Sequence, residues 1–311
     1  MNNIDIFPKP DTRTRRFYDL KIDDLLEDET VLIAKIPTDN RGIIPLWDDL
    51  KKKKSQNIIE IEKLNQEKIA FHFNNNNSIE VLLTDTEKLL NILARNKILI
   101  DVSGLPHNVW APILKCLLEN NFSFRVLYTE AESYRLHPSP ASETLFDLSI
   151  EYGGLAPLPG FAKLSGPEDD SKCLYVALLG FEGNRPERLV LQLDPEPKVV
   201  PIIGVPGFKI EFPAFTVSCN RNLLEEYRAF SELRFARASC PYEAFEALQS
   251  IHKDFPDYYM YIAPVGTKPH AIGAIWYSIL NPDTTEIMYD FPIHKKERSD
   301  GIGLIHIYNF S

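Results

Sequence analysis

The chain has 311 residues, of which 44% are hydrophobic and 25% are charged. These values are close to those of soluble globular proteins, so they argue against a disordered chain, and no run of about 18 apolar residues marks a membrane span. The formal net charge of −10 argues against an extended face for nucleic acid, because an acidic surface repels phosphates on average.

The cysteine pattern is typical of a reducing compartment. Cys116, Cys173, Cys219 and Cys240 are widely spaced and form no Cys-x-x-Cys pair, which argues against a zinc ribbon or a redox motif. Residues 1–18 are polar and lack the apolar segment of a secretory signal. We therefore expect a cytoplasmic protein.

The first 95 residues predict a small mixed α+β unit. We expect a strand near 31–36, a hairpin over 68–83 and a helix at 86–95. No residue pattern in this segment indicates a particular chemistry. We place a domain boundary between residues 95 and 96.

Residues 96–311 predict a Rossmann-like α/β domain, with a mainly parallel sheet flanked by helices. The continuous apolar run at 97–103 is typical of a parallel strand that is buried on both faces. An apolar helical stripe follows residue 108, and a second strand is expected at 124–128. This βαβ unit implies a parallel pair with a right-handed crossover.

The remainder of the chain continues the α/β alternation, and we find no internal repeat. Residues 137–167, rich in proline and glycine, are expected to form a loop and are a candidate lid. The helix predicted at 241–253 has Phe245 and Leu248 on its buried face. The other predicted elements are strands at 172–179, 198–203, 258–263, 286–289 and 304–308, and helices at 222–237 and 269–280.

The strongest candidate site is the turn between the strand at 258–263 and the helix that follows. Ligands of open α/β sheets bind at the carboxyl ends of the strands. Gly266 lets a ligand approach the backbone, and the helix N-terminus together with Thr267 and Lys268 suits an anion. We predict that Lys268 faces an anion-accepting pocket. The alternative is a capped helix start with a solvated lysine.

A second candidate is the turn at 179–185. Its glycines, with an acid and an arginine, can bind a polar ligand. A plain turn with a surface ion pair explains the same pattern equally well. With the end of the strand at 97–103, the predicted ligand-binding set is Gly266, Thr267, Lys268, His270, Ser103, Gly180, Glu182 and Arg185.

Carboxylates also fall at strand ends, at Asp101, Glu130, Glu182 and Asp290. Converging carboxylates can hold Mg²⁺, but acids are also common where solvent-facing loops begin. The histidines lack zinc-binding spacing, and neither the Gly-x-Gly-x-x-Gly nor the Gly-x-Ser-x-Gly pattern occurs. We therefore predict no metal and no cofactor, and we assign no catalytic residue.

The charged segment 294–301 admits two interpretations. It is either a solvated turn, or it folds over the strand ends so that its cations complete a pocket for an anion.

The segment 259–274, Tyr-Met-Tyr-Ile-Ala-Pro-Val-Gly-Thr-Lys-Pro-His-Ala-Ile-Gly-Ala, resembles one motif of the CRISPR-associated Rossmann-fold (CARF) sensor domains. It departs from that motif in Pro269-His270 and in a single glycine where a pair is common. The attached nuclease or helix-turn-helix effector of that family is not recognisable here. The resemblance implies a sensor of nucleotides or cyclic oligonucleotides in prokaryotic antiviral defence, with Thr267 and Lys268 as ligand contacts.

Three hypotheses for function remain open. The first is a Rossmann-like sensor or accessory subunit that binds a nucleotide or a phosphate ligand. The second is a metal-dependent phosphohydrolase or nuclease that uses the strand-end carboxylates. The third is a structural subunit of a larger complex. For all three we expect a protein partner or a homo-oligomer, and no membrane association.

Overall fold

A computed structural model describes residues 13–53, 58–94, 97–141, 143–163, 167 and 172–310. The strands in that part of the chain are β1 (Thr14–Phe17), β2 (Glu29–Ala34), β3 (Ile58–Lys63), β4 (Lys68–His72), β5 (Ser78–Leu82), β6 (Lys97–Asp101), β7 (Phe124–Thr129), β8 (Ser133–Tyr134), β9 (Leu136–Ala141), β10 (Thr144–Phe146), β11 (Ser149–Tyr152), β12 (Lys172–Leu178), β13 (Lys198–Gly204), β14 (Arg234–Ala236), β15 (Tyr258–Ala263), β16 (Thr285–Ile287), β17 (Pro292–His294), β18 (Ser299–Asp300) and β19 (Ile305–Phe310).

The α-helices of the same part of the chain are α1 (Pro45–Lys52), α2 (Thr86–Leu93), α3 (His107–Glu119), α4 (Asn184–Val190), α5 (Phe212–Cys219), α6 (Arg221–Glu226), α7 (Pro241–Asp254) and α8 (Lys268–Leu280). Short 3-10 helices occur at Ile22–Asp24, Asn40–Gly42 and Ala229–Glu232. Among the described residues, no helix is long and apolar enough to cross a membrane.

Most of the strands form two large sheets. The first has eight strands in the order β1-β19-β7-β6-β2-β3-β4-β5, and its central strands β7, β6, β2 and β3 run parallel. The second has five strands in the order β14-β13-β12-β15-β16, all parallel. Helices flank both sheets, which confirms the predicted α/β class.

The predicted division of the chain at residue 95 runs through the eight-stranded sheet. That sheet combines β2 to β5, which precede the boundary, with β6, β7 and β19, which follow it. Residues 95 and 96 themselves lie outside the described residues. The expected loop at 137–167 contains strands where it is described: β9 pairs with β10, and β11 pairs with β17.

A layer of helices between the sheets gives the molecule a shared core. Successive side chains of a strand point to opposite faces. Leu174 and Val176 of β12 therefore join a core formed with α2, α3, α7, α8 and the larger sheet. Tyr175 and Ala177 of the same strand pack against α4 and α6 on the other face. Helix α1 covers the outer face of the larger sheet through Trp47.

The prediction of a helix at 222–237 is confirmed only as far as Glu226 and is wrong beyond it. The helix α6 ends at Glu226, and Arg228 follows with a left-handed φ of 50°, which does not continue a helix. Arg234–Ala236 then forms the edge strand β14 beside β13. Pairing with the parallel sheet overrides the local helical pattern. The preceding helix α5 was not predicted.

The two sheets contain equivalent units. The order β7-β6-β2-β3 in the first sheet matches β16-β15-β12-β13 in the second. The loops after β6 and β15, which occupy the same place in the two units, each contain a glycine and then Pro-His at the start of a helix. These glycines, Gly104 and Gly266, each approach a glycine of the loop after the first strand. The structure thus shows a repeated architecture that the sequence analysis did not find.

Candidate functional site

A cavity of about 520 Å³ lies where the carboxyl ends of the two sheets face each other. Residues 36–38 after β2 and 106–108 after β6 line it from the first sheet. Residues 179–182 after β12 and 264–268 after β15 line it from the second. The site therefore belongs to both units, and its volume suits a small organic ligand.

The lining of this cavity is strongly cationic. One carboxylate, Glu182, lines it together with seven basic side chains, although the whole chain carries a formal charge of −10. The seven are Arg41, Lys63, Arg185, Lys268, Lys295, Lys296 and Arg298. Three of them belong to the charged segment 294–301, so that segment does lie over the strand ends. Such a concentration of one sign attracts an anion.

Asp39 organises the basic groups on the side of the first sheet. Its side chain is fully buried and accepts hydrogen bonds from Nε and Nη2 of Arg41 (2.8 and 2.6 Å). It also accepts from Nε of Arg298 (2.9 Å) and Oγ of Ser299 (2.7 Å). Burial raises the pKa of Asp39, but the hydrogen bonds and charges of Arg41, with Arg298 and Lys268, outweigh burial and hold that pKa well below its usual value.

Lys268 lies at the N-terminus of α8, which begins one residue earlier than predicted, and is only 7% exposed. Its Nζ donates to the backbone carbonyls of Val102 (2.5 Å), Ser103 (2.7 Å) and Leu105 (2.9 Å). Burial lowers the pKa of Lys268. Three acceptors nevertheless match the three protons of an ammonium, and a neutral amine leaves one carbonyl without a donor, so we infer that Lys268 is charged.

The ammonium of Lys268 therefore holds together the loops of the two sheets. Thr267 acts in a related way, because its hydroxyl accepts from His270 N and donates to the carbonyl of Ala238 (2.8 Å). Both residues line the cavity, but their polar groups are engaged within the protein. Lys268 thus lies at the predicted strand-to-helix turn beside the cavity, but its ammonium donates to backbone carbonyls of the protein.

Positive charge at this site exceeds negative charge. After burial, the charged groups with the largest effect on the pKa of Lys268 are Arg41 and Arg298, which lower it, and Asp39 and Asp101, which raise it. The five groups carry three cations and two carboxylates, and burial raises the pKa of Asp101. With Lys268 charged and both carboxylates ionised, these five groups sum to one positive charge. We name the group formed by Asp39, Arg41, Lys268 and Arg298 the cationic cluster.

Burial, and then the nearby positive charges, lower the pKa of two histidines beside the cavity. Burial lowers the pKa of His107, and the charges of Lys268, Arg185 and Arg298 lower it further. Burial, Arg298 and Arg185 also lower the pKa of His294. Both rings are therefore neutral at pH 7. His107 lies at the start of α3, and its Nδ1 is hydrogen-bonded to the hydroxyl of Tyr289 (3.0 Å).

The turn at 179–185 lines the cavity as predicted, but its groups have structural partners. A Cβ atom on Gly180 would come within 2.9 Å of the Gly266 Cα atom, so these glycines allow two loops to touch. Arg185 is buried and forms ion pairs with Asp290 (2.6 Å) and Glu182 (3.4 Å). Its charge is balanced, unlike that of the cationic cluster.

Two predicted ligand-binding residues do not line the cavity. Ser103 is fully buried, and its Oγ accepts a hydrogen bond from the backbone of Thr129 (2.9 Å). His270 is also fully buried, with Nε2 next to the carbonyl of Arg237 (3.1 Å). Both stabilise the loops that form the site.

The strand-end carboxylates are engaged with other side chains of the described residues. Asp101 bonds to Nε1 of Trp47, Glu130 pairs with His306, and Glu182 and Asp290 share Arg185. Within the described ranges, no group of three or more His, Cys, Asp or Glu side chains is arranged to hold a metal ion.

One wall near the cavity is aromatic. Phe146 stacks on Phe181 at a centroid distance of 4.3 Å, and Tyr134 and Phe212 stand edge-on to Phe181 at 5.5 and 5.1 Å. Phe215 lies 5.9 Å from Phe146. We name these five residues the aromatic wall. Of them, Tyr134, Phe181 and Phe212 line the cavity.

Sequence reasoning missed the residues of the cationic cluster in the loop after β2. The strand itself was predicted, but we assigned it to a separate unit and did not apply the strand-end rule to it. If β2 is assigned to the parallel sheet, the rule that ligands bind at the carboxyl ends of strands indicates Asp39 and Arg41 as well. The aromatic wall could not be predicted from a sequence pattern, because its residues come from distant segments of the chain.

Comparison of the sequence with models of known protein families gives no match, and comparison with curated protein sequences gives none either.

Proposed function

We propose that the cavity binds an anionic, phosphate-bearing ligand of the nucleotide class, and that the chain is a cytoplasmic sensor or accessory subunit. The observation that carries this proposal is the unbalanced positive charge of the cationic cluster. A buried cation is costly without a partner, so an anion in the cavity stabilises the native state. The resemblance of residues 259–274 to CARF domains supports a nucleotide signal in antiviral defence.

The anion is expected next to Arg41 and Arg298 rather than at the ammonium of Lys268. The protons of Lys268 are all donated to carbonyls, so its contribution is long-range. Arg298 donates to Asp39 through Nε and lines the cavity, so a ligand oxygen can meet its guanidinium. Charge-assisted contacts from arginine to phosphate are strong and geometrically specific.

A thermal-shift screen followed by calorimetry tests the proposal. The panel contains inorganic phosphate, tripolyphosphate, the ribonucleoside mono- and triphosphates, and cyclic di- and oligonucleotides. A ligand that binds only the native state raises the melting temperature. We expect at least one phosphate-bearing compound to do so, and an unchanged melting temperature across the panel would contradict the proposal.

A matched pair of variants locates the binding. Lys296 is exposed at the cavity, whereas Lys253 is exposed at the end of α7 and does not line it. Lys296→Glu should weaken binding by about fivefold or more through repulsion. Lys253→Glu, with the same change of charge, should bind as the wild type does. Equal affinities in the two variants would place the ligand elsewhere.

A further inference from the structure

The aromatic wall has features beyond those of a packing cluster. It combines residues from the segment at 133–152 with the loop after β12 and helix α5. Tyr134 and Phe181 are half-buried and line the cavity, so they are not sealed within the core. Phe146 stacks on Phe181, which holds the orientation of that ring.

The aromatic wall directly adjoins the cationic cluster. The guanidinium of Arg41 lies 5.9 Å from the ring centre of Tyr134 and 5.7 Å from that of Tyr128. A ligand oxygen at Arg41 therefore has an aromatic surface about one ring away. Inorganic phosphate has no ring to stack on that surface, whereas a nucleobase has a flat π-face that can stack there.

We propose that Tyr134 and Phe181 form a nucleobase subsite, so that the base of the ligand stacks at the aromatic wall while its phosphate lies at Arg41 and Arg298. The inference rests on the proposed function and adds which part of the ligand gives selectivity. Stacking of a base on an aromatic ring is favourable and tolerates any base. Discrimination therefore operates between base-bearing and base-free phosphates.

Paired probes test the subsite. Calorimetry measures ATP against tripolyphosphate, and AMP against ribose 5-phosphate, at one pH and salt concentration. We expect each nucleotide to bind at least about tenfold more tightly than its base-free counterpart. Equal affinities within both pairs would overturn the subsite and leave the anion proposal standing. Absence of binding by all four would also overturn the subsite, whereas the anion proposal is overturned only if no compound of the whole thermal-shift panel binds.

Phe181→Leu keeps an apolar side chain but removes the ring, so the advantage of the nucleotides over their counterparts should fall by about tenfold. Affinity for tripolyphosphate should stay unchanged. Phe245→Leu is the matched control, because Phe245 is also half-buried and its ring contacts Trp276, at a centroid distance of 4.2 Å, outside the cavity. Tyr134→Leu repeats the test if Phe181→Leu does not fold. If the aromatic wall had only a structural role, Phe181→Leu would change the melting temperature, and the nucleotides would still bind more tightly than their base-free counterparts. That result would overturn the proposal.

Discussion

The ammonium of Lys268 donates a hydrogen bond of 2.7 Å to the backbone carbonyl of Ser103, a residue 165 positions earlier in the chain. Lys268 begins α8, the helix that follows β15 of the five-stranded sheet, and Ser103 follows β6, a central strand of the eight-stranded sheet. This contact, with those to Val102 and Leu105, joins the two units at the floor of the cavity. The lysine that the sequence indicated as a ligand contact therefore has a structural role.

Removal of Lys268 should destabilise the protein. Lys268→Met retains much of the side-chain volume but leaves three buried carbonyls without donors, so we expect the free energy of unfolding to fall by about 3 kcal/mol or more. Urea unfolding measures this loss. Lys296→Met, at an exposed position, should change it by less than about 0.5 kcal/mol. A loss below about 1 kcal/mol for Lys268→Met would show that the carbonyls are satisfied in another way.

Asp39→Asn should also destabilise the fold, because it removes the carboxylate that pairs with Arg41 and Arg298. Breaking a buried ion pair from one side costs about 3–5 kcal/mol. Asp49→Asn, at an exposed position of α1, is the control. Sulfate should raise the melting temperature of Asp39→Asn more than that of the wild type, since the variant has more unbalanced charge. An equal rise would contradict the charge argument.

The elements of the core were predictable because burial on both faces leaves a continuous apolar run. The strands that begin at Lys97, Lys172 and Tyr258 were identified in this way, and each pairs in parallel as expected. The turn that contains Gly266 and Lys268 was also located correctly. The hydrogen-bond partners of the Lys268 ammonium could not be predicted, because the carbonyls that accept from it belong to a distant segment whose position only the tertiary structure defines.

The repeated architecture was missed for a related reason. Glycine, Pro-His and a following tyrosine recur in the two units, at Gly104, Pro106-His107 and Tyr128 and again at Gly266, Pro269-His270 and Tyr289. The helices between these positions are both largely apolar but differ in most of their residues. The pattern gains its meaning from the matching strand order of the two sheets, and that order is not a property of local sequence.

His270 should remain neutral far below the usual pH range of histidine. Burial lowers its pKa from 6.5 to about 4, although backbone hydrogen bonds act in the opposite direction. Between these two values the unfolded chain binds more protons at this residue than the folded chain, so acidification favours unfolding by up to about 3 kcal/mol. An NMR titration of the imidazole resonances measures the value, and a titration midpoint near 6.5 would contradict it. His270→Gln should reduce the pH dependence of stability in that range.

Helix α7 provides a packing prediction. Leu248 is fully buried in the shared core, whereas Phe245 packs against that core beside Trp276 of α8 but is only half-buried. Leu248→Ala should therefore cost about 2–5 kcal/mol, and Phe245→Ala should cost less than the 3–5 kcal/mol of a fully buried phenylalanine. Urea unfolding of both variants checks the order, and a larger loss for Phe245→Ala would reverse the assigned burial.

The most direct test of an anion site between the two sheets is a crystal structure after a soak in selenate, whose anomalous scattering marks the ion. The structure predicts a selenate ion within hydrogen-bond distance of the guanidinium of Arg41 or Arg298, in the cavity shared by both units. Soaks of Lys296→Glu crystals should show a weaker peak at the same place. Selenate bound only at surface lysines outside the cavity, with the cavity free of anomalous signal, would contradict the account.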